Sequence, residues 1–336
     1  MGIIPQNIFV NIAVALASFY VLTKSADYLV DGSVGIAYKL RVPTIIIGIV
    51  LVSLATTSPE FTVSVLSSFR GKPEIALGNA LGSVIADNLL ALALGAVVAP
   101  VAIKVHSGVL KTAGIFLVGA SVLAFLMSIN GTISRIEGGI LLLLMAGYLG
   151  LVVVTEKRRK KAALILKSEE DVEEEVKEHV KPGSLGMQFL RFFAGVAGVI
   201  IASEFLIDSA VFIARYAGIS EAIIGLTMIA IGTSLPEIVT CIVSAKKGYG
   251  DIAVGDIIGA DIMNILWIVG TASVVKPITV EKKIIYFAFP WSILAILVML
   301  LFMRMGYKLE KWKGVVFLAL YGVYIALAIH LFYFPA

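Results

Sequence analysis

Ala55-Thr56-Thr57-Ser58-Pro59-Glu60 and Gly232-Thr233-Ser234-Leu235-Pro236-Glu237 are two versions of one segment, and Glu237 follows Glu60 by 177 positions. The same offset holds without a gap from about Asp27 to Leu89. It aligns Asp31 with Asp208, Ile36-Ala37 with Ile213-Ala214, and Ile46-Ile47-Gly48 with Ile223-Ile224-Gly225. It also aligns Gly71 with Gly248, Ile75-Ala76 with Ile252-Ala253, Gly78 with Gly255 and Gly82 with Gly259. Apolar bias alone does not superimpose Gly, Pro, Asp and Glu along with Ile. A fixed-offset match of this length marks a chain built from two structural copies.

The repeat lies in an apolar chain. Of 336 residues, 59% are hydrophobic and 15% charged, and the mean hydropathy is +1.00. A soluble domain of this size cannot hide so much apolar surface, so the bilayer is its expected solvent. A spanning helix needs about 20 mostly apolar residues. Ten such stretches start near Ile8, Thr44, Ala76, Gly108, Ile136, Met187, Ala222, Ile252, Ile284 and Val315. The expected fold class is therefore an all-α polytopic membrane protein of ten transmembrane helices. Residues 1–154 form a first five-helix repeat, 155–186 a cytoplasmic linker, and 187–336 a second five-helix repeat. Five spans separate the copies, and an odd number inserts the second copy upside down. The pattern predicts an inverted repeat, an architecture typical of secondary transporters.

Charge orients the chain. Lys157, Arg158, Arg159, Lys160 and Lys161 follow the fifth span, and basic residues concentrate in the loops on that same side. The positive-inside rule places this side in the cytoplasm of a cell membrane, with both termini extracytoplasmic. An acidic run including Glu169, Glu170, Asp171, Glu173, Glu174 and Glu175 follows. It lacks the spacing and glycine of an EF-hand, and reads as a solvated linker helix. The N-terminus lacks the basic region of a cleavable signal, so the first apolar stretch reads as a retained helix. One cysteine, Cys241, excludes an intramolecular disulfide framework, and three scattered histidines give no zinc or haem spacing.

Glu60 and Glu237 fall inside apolar helices, where a carboxylate costs at least a few kcal/mol. The bland reading pairs each with a Lys or Arg, but the middles of spans two, three, seven and eight contain none. A bound cation is the better partner. Pro59 and Pro236 lack an N–H, so the carbonyls of Ala55 and Gly232 lose their helical donors. Thr56, Thr57, Thr233 and Ser234 flank the breaks with hydroxyls and carbonyls. Carboxylate and carbonyl oxygens, typically about six to eight of them, suit Ca2+. Asp87 and Asn264 form a second pair at the same offset, deep in spans three and eight. Other polar residues read differently. Asp256 and Asp261 are expected behind the site or at its rim. Asp27, Asp31, Glu204 and Asp208 are expected to cap or pair locally. Gly78, Gly82, Gly255 and Gly259 read as packing positions. Gly248-Tyr249-Gly250-Asp251 fits the G-x-G-D pattern of intramembrane proteases, but it lies in a loop and no matching Tyr-Asp helix exists.

At these residues the chain resembles the cation/calcium antiporter superfamily, which includes Na+/Ca2+ and H+/Ca2+ exchangers. The resemblance rests on the two six-residue segments and on Gly78-Asn79-Ala80-Leu81-Gly82-Ser83-Val84-Ile85-Ala86-Asp87 with Gly255-Asp256-Ile257-Ile258-Gly259-Ala260-Asp261-Ile262-Met263-Asn264. It covers essentially the whole chain. It implies that Glu60 and Glu237, with backbone oxygens of Thr56 and Thr233, bind Ca2+, and that Asp87 and Asn264 complete the set. It implies Na+ contacts at Thr57, Ser234, Ser83 and the carbonyls of Ser53 and Ala230. Ala260 departs from the pattern, where serine is usual, and removes one hydroxyl from a Na+ position. The expected activity is antiport of Ca2+ against a monovalent cation, with H+ placed slightly ahead of Na+ because three carboxylates face the cavity. A cation channel is the alternative from another class. No enzyme activity, cofactor or nucleic-acid partner is expected; a monomer in lipid is.

Overall fold

The computed structural model describes residues 4–166, 183–218 and 230–333, and they are almost entirely helical. Helix α1 runs Ile8–Leu40, with Asn7 accepting hydrogen bonds from the amides of Phe9 and Val10 at 2.9 and 3.2 Å. This satisfies two of the donors a helix start leaves open. Next come α2 (Thr44–Thr56), α3 (Ser58–Phe69), α4 (Pro73–Val98) and α5 (Leu110–Ser128), then α6 (Arg135–Leu166) and α7 (Leu185–Tyr216). The remainder is α8 (Ala230–Thr233), α9 (Leu235–Lys246), α10 (Gly250–Val275), α11 (Ile284–Arg304) and α12 (Lys311–Tyr333). Among the described residues, α1, α4, α5, α6, α7, α10, α11 and α12 are long and apolar enough to cross a membrane. The helices α2 and α3 pass the same test as a pair bent by 45°. The span expected from Ala222 begins outside the described residues, which retain α8 and α9 of it.

The two long helices α1 and α7 pack antiparallel. A Cβ placed on Gly32 would lie 2.5 Å from the Phe192 nitrogen, and one on Gly35 would meet the Gln188 side chain. Glycine lets the two backbones touch there. With parts of α2 and α9, this pair makes one apolar cluster that includes Leu22, Leu29, Val34, Phe192 and Val199. A larger cluster joins α4, α5, α6, α9, α10, α11 and α12. At its centre lie α10 and α4, whose apolar stretches are 94% and 72% buried, against 17% for α1 and α12. Helices sheathed on all sides by protein can carry polar groups that lipid would reject.

Two short antiparallel pairings tie the ends of the bundle. β1 (Ile103–Lys104) pairs with β4 (Lys308–Leu309), and β2 (Thr132–Ile133) pairs with β3 (Ile278–Thr279). The helix α10 measures about 39 Å at about 1.5 Å per residue, and the bent pair runs along it. At one end Thr44 bonds Asp251; at the other Lys276 reaches the Gly71 carbonyl at 2.9 Å.

The apolar part of α6 ends at Val152, close to the expected boundary at residue 154, but the helix does not stop there. α6 continues to Leu166 through the basic block, because no Gly or Pro interrupts the strong helix formers before Pro182. The acidic run from Glu169 lies outside the described residues.

Candidate cation site

The two Pro-Glu segments fold alike. Thr57 (φ −78°, ψ 0°) and Ser234 (φ −83°, ψ 8°) are the turn residues at which α2 and α8 stop. Pro59 and Pro236 then occupy the first turns of α3 and α9. There a missing N–H costs little. The result puts Glu60 and Glu237 in the first turns as well, where the helix dipole favours a negative charge. Both carboxylates are buried, with 0% and 1% exposure.

Asp87 and Asn264 occupy widened turns. Asp87–Ala91 and Met263–Ile268 are π-helical stretches within α4 and α10, a distortion that recurs at functional sites. Asp87 lies within electrostatic reach of Glu237, Asp261, Glu60 and Asp256. Buried carboxylates thus crowd the middle of the bundle: Glu60, Asp87, Glu237, Asp256 and Asp261. Among the described residues the one buried cation is Lys313. Its ammonium is held at the end of the bundle by the carbonyls of Phe302, Met305 and Lys308, so it neutralises none of them.

Hydrogen bonds satisfy part of this cluster. Thr57 donates to Glu237 Oε1 at 3.2 Å. Thr56 donates to Asp256 Oδ1 at 3.0 Å, and Thr233 donates to Asn79 Oδ1 at 3.2 Å. Asn88 Nδ2 donates to Asp261 Oδ2 at 2.7 Å. Both carboxylate oxygens of Glu60 and Asp87, both amide atoms of Asn264, and the hydroxyls of Ser83 and Ser234 have no partner among the described residues. Ser234 lies beside Glu60, as Thr56 and Thr57 lie beside Glu237. Buried polar atoms are rarely left unpaired. A set of carboxylate, amide and hydroxyl oxygens with this many free lone pairs fits a hard cation as cargo. Among the described residues no three of His, Cys, Asp or Glu converge on one point as ligands, so hydroxyl, amide and backbone oxygens must complete any shell.

Of the expected residues, Glu60, Asp87 and Glu237 belong to the buried carboxylates, Thr56, Thr57 and Ser234 lie beside the glutamates, Thr233 bonds Asn79, and Ser83 and Asn264 are buried in α4 and α10. Asp256 and Asp261 are not at a rim; both are fully buried. A helical period carries the signal for this, since Asn79, Ser83 and Asp87 recur every four residues, as do Asp256, Ala260 and Asn264. Asn88 carries no such signal. Asp27 and Asp31 pair across the fold rather than locally. Lys247 contacts them at 3.1 and 2.6 Å and ties α1 to the end of α9. Their counterparts Glu204 and Asp208 are exposed on α7. Asp251 contacts His106 at 3.2 Å at the start of α10, away from the buried acids.

Such a fold and site define a polytopic α-helical membrane protein with a cluster of buried carboxylates between interrupted helices. Residues 10–154 and 187–330 match the sequence profile described as sodium/calcium exchanger protein. The chain belongs to that family, within the cation/calcium antiporter superfamily. It is 36% identical to inner membrane protein YrbG of Escherichia coli, over 79% of this chain and 80% of that one. It is 30% identical to the sodium/calcium exchanger MaX1 of Methanosarcina acetivorans, over 97% and 99%. A solved structure of the sodium-calcium exchanger NCX_Mj superimposes with a TM-score of 0.79 at 28% identity, covering 95% of this chain and 99% of that one.

Proposed function

We propose that this protein is a secondary active antiporter that exchanges Ca2+ for Na+ across a cell membrane. The observation that carries the reading is the cluster of buried carboxylates, free of any Lys or Arg partner among the described residues, at the breaks of two helix pairs. Ca2+ takes the Glu60 and Glu237 carboxylates with backbone oxygens of Thr56 and Thr233. Asp87, Asn264, Thr57, Ser234 and Ser83 serve the counter-ion. A cavity of uncompensated carboxylates is costly inside a membrane. The empty protein therefore resists reorientation, and loaded protein crosses with one ion or the other. This is exchange rather than channel conduction, and no chemical step is catalysed.

Na+ takes first place as coupling ion because relatives bear sodium/calcium exchanger names and because Thr57, Ser83 and Ser234 supply hydroxyls. The proton reading, put first from the sequence, keeps support of its own. Ala260 offers no hydroxyl, and the buried acids number more than Ca2+ can neutralise. Ca2+ flux into proteoliposomes under a Na+ gradient at clamped pH, beside a pH gradient without Na+, separates the two. Flux with neither gradient would support a channel.

The same reading has ten spans in two inverted repeats, with a monomer in lipid as the working unit and both termini outside. Several observations support it. The profile matches two separate stretches. The bent α2–α3 pair extends between the two ends of α10. Paired β2 and β3 share one face, so an even number of crossings separates them. Between them, α6, α7 and α10 leave one further crossing for the segment that contains α8 and α9.

A further inference from the structure

Each broken helix pair sends one threonine hydroxyl across to the other repeat. Thr56, at the end of α2, donates to Asp256 on α10; Thr233, in α8, donates to Asn79 on α4. The 177-residue offset maps each bond onto the other. Asn79 also donates to the Ser64 hydroxyl at 3.1 Å. Asp256 Oδ2 has no partner among the described residues.

The Thr56 hydroxyl has one proton and several acceptors, the neighbouring Glu237 carboxylate among them. Besides Asp256 at 3.0 Å, the carbonyls of Val52 and Ser53 lie 3.2 and 3.3 Å away. A threonine on a helix falls back on the carbonyl three or four residues earlier when nothing better is near. A carboxylate is the stronger acceptor. Asp256 thus competes with the backbone for the hydroxyl proton. The bond to it relieves the carbonyls of that donor and fixes the Thr56 side chain against α10. One turn on from Asp256 and Asn79 stand Ala260 and Ser83; two turns on stand Asn264 and Asp87, whose polar side-chain atoms have no partner among the described residues. On each helix the first position of the column orients the opposite break, and the deeper ones face the cargo.

We infer that Asp256 and Asn79 are positioning residues, each setting the threonine carbonyl at the opposite helix break for cation binding. The inference rests on the proposed exchange function. The bond, not the charge, is what matters, because neutral Asn79 does for Thr233 what Asp256 does for Thr56.

The test uses full-length protein, with Ca2+ flux kinetics in proteoliposomes and thermal stabilisation of purified protein by Ca2+ or Na+. Losing one hydrogen bond to a charged group corresponds to about a tenfold change. Asp256→Ala and Thr56→Val should each raise the Ca2+ KM by about this factor, with Vmax within about twofold. The double variant should be no worse than either single, since one bond is removed once. Asp256→Asn should stay within about threefold of wild type, because an amide oxygen accepts the same bond. A wild-type KM in Thr56→Val overturns the inference, as does Asp256→Asn that is as impaired as Asp256→Ala, or a multiplicative double variant. Thr56→Val keeps the test alive if Asp256→Ala does not fold. If wild-type protein moves no Ca2+, the functional reading fails separately. The same ranking of variants in stabilisation by Na+ then supports the positioning role, and equal stabilisation of all variants overturns it.

Discussion

Thr57 hydrogen-bonds Glu237 at 3.2 Å across the two repeats, whereas its counterpart Ser234 lies beside Glu60 without bonding it. The pseudo-equivalent glutamates are therefore held differently. Thr57 anchors one carboxylate at a single oxygen, and neither oxygen of the other has a hydrogen-bond partner among the described residues.

Glu60→Gln and Glu237→Gln should each reduce Ca2+ flux to near background while the protein still folds. Each removes a charge that Ca2+ needs, and a neutral amide is cheaper than a carboxylate inside the membrane. The amide introduced by Glu237→Gln keeps an oxygen for Thr57, so the link between repeats survives. Isotope uptake alongside size-exclusion profiles is the measurement; wild-type uptake in either variant would falsify the two-glutamate site.

Asp87 and Asn264 occupy equivalent widened turns, so the cavity should accept either residue on either side. Asp87→Asn should retain Ca2+ binding but weaken coupling to the counter-ion, because Glu60 and Glu237 still balance the divalent charge. The double swap Asp87→Asn with Asn264→Asp restores the charge count and should recover part of the coupled flux. The ratio of counter-ion-driven to passive uptake reads this directly. Equal coupling in the single variant and the double swap would exclude the idea.

Ala260 is fully buried on α10, one turn after Asp256 and one turn before Asn264. Ala260→Ser adds a hydroxyl and should raise Na+ affinity several-fold in flux titrations at fixed pH. Unchanged Na+ dependence would show that this position does not touch the counter-ion.

Gly255 packs against α2 at a point with no spare room. An added Cβ would fall 2.6 Å from the Ile45 carbonyl and 3.1 Å from the Gly48 Cα. Neither atom is the flexible end of a side chain. Gly255→Val should destabilise by about 1–3 kcal/mol, the range for forcing extra carbon into a packed interface. Thermal unfolding in detergent is the check, and an unchanged midpoint would mean that α2 and α10 separate more easily than they pack.

Lys247 joins Asp27 and Asp31 on α1 to the end of α9 through partly buried ion pairs. Lys247→Met removes the ion pairs that Asp27 and Asp31 make with this ammonium. A loss of about 1–2 kcal/mol is expected, between the values for exposed and buried pairs. The effect should shrink in Asp31→Asn protein, because the closer bond is already weakened there. Full additivity in a double-mutant cycle would remove the coupling.

Much of this was legible in the chain itself. Repeats, hydrophobic lengths, prolines beside glutamates and the distribution of lysines are local properties of sequence. They dictate a membrane solvent, two copies, the interrupted helices and the glutamates Glu60 and Glu237. Tertiary structure decided what faces what. A carboxylate on an apolar helix reads the same whether it meets cargo, a neighbouring hydroxyl or the rim, so the burial of Asp256 and Asp261 followed only from α10 lying at the centre of the bundle. The bonds from Thr56 to Asp256 and from Lys247 to Asp31 join residues some 200 positions apart. They exist because particular faces of non-adjacent helices meet at close range, where glycines remove the side chains between backbones, and no local pattern encodes that meeting.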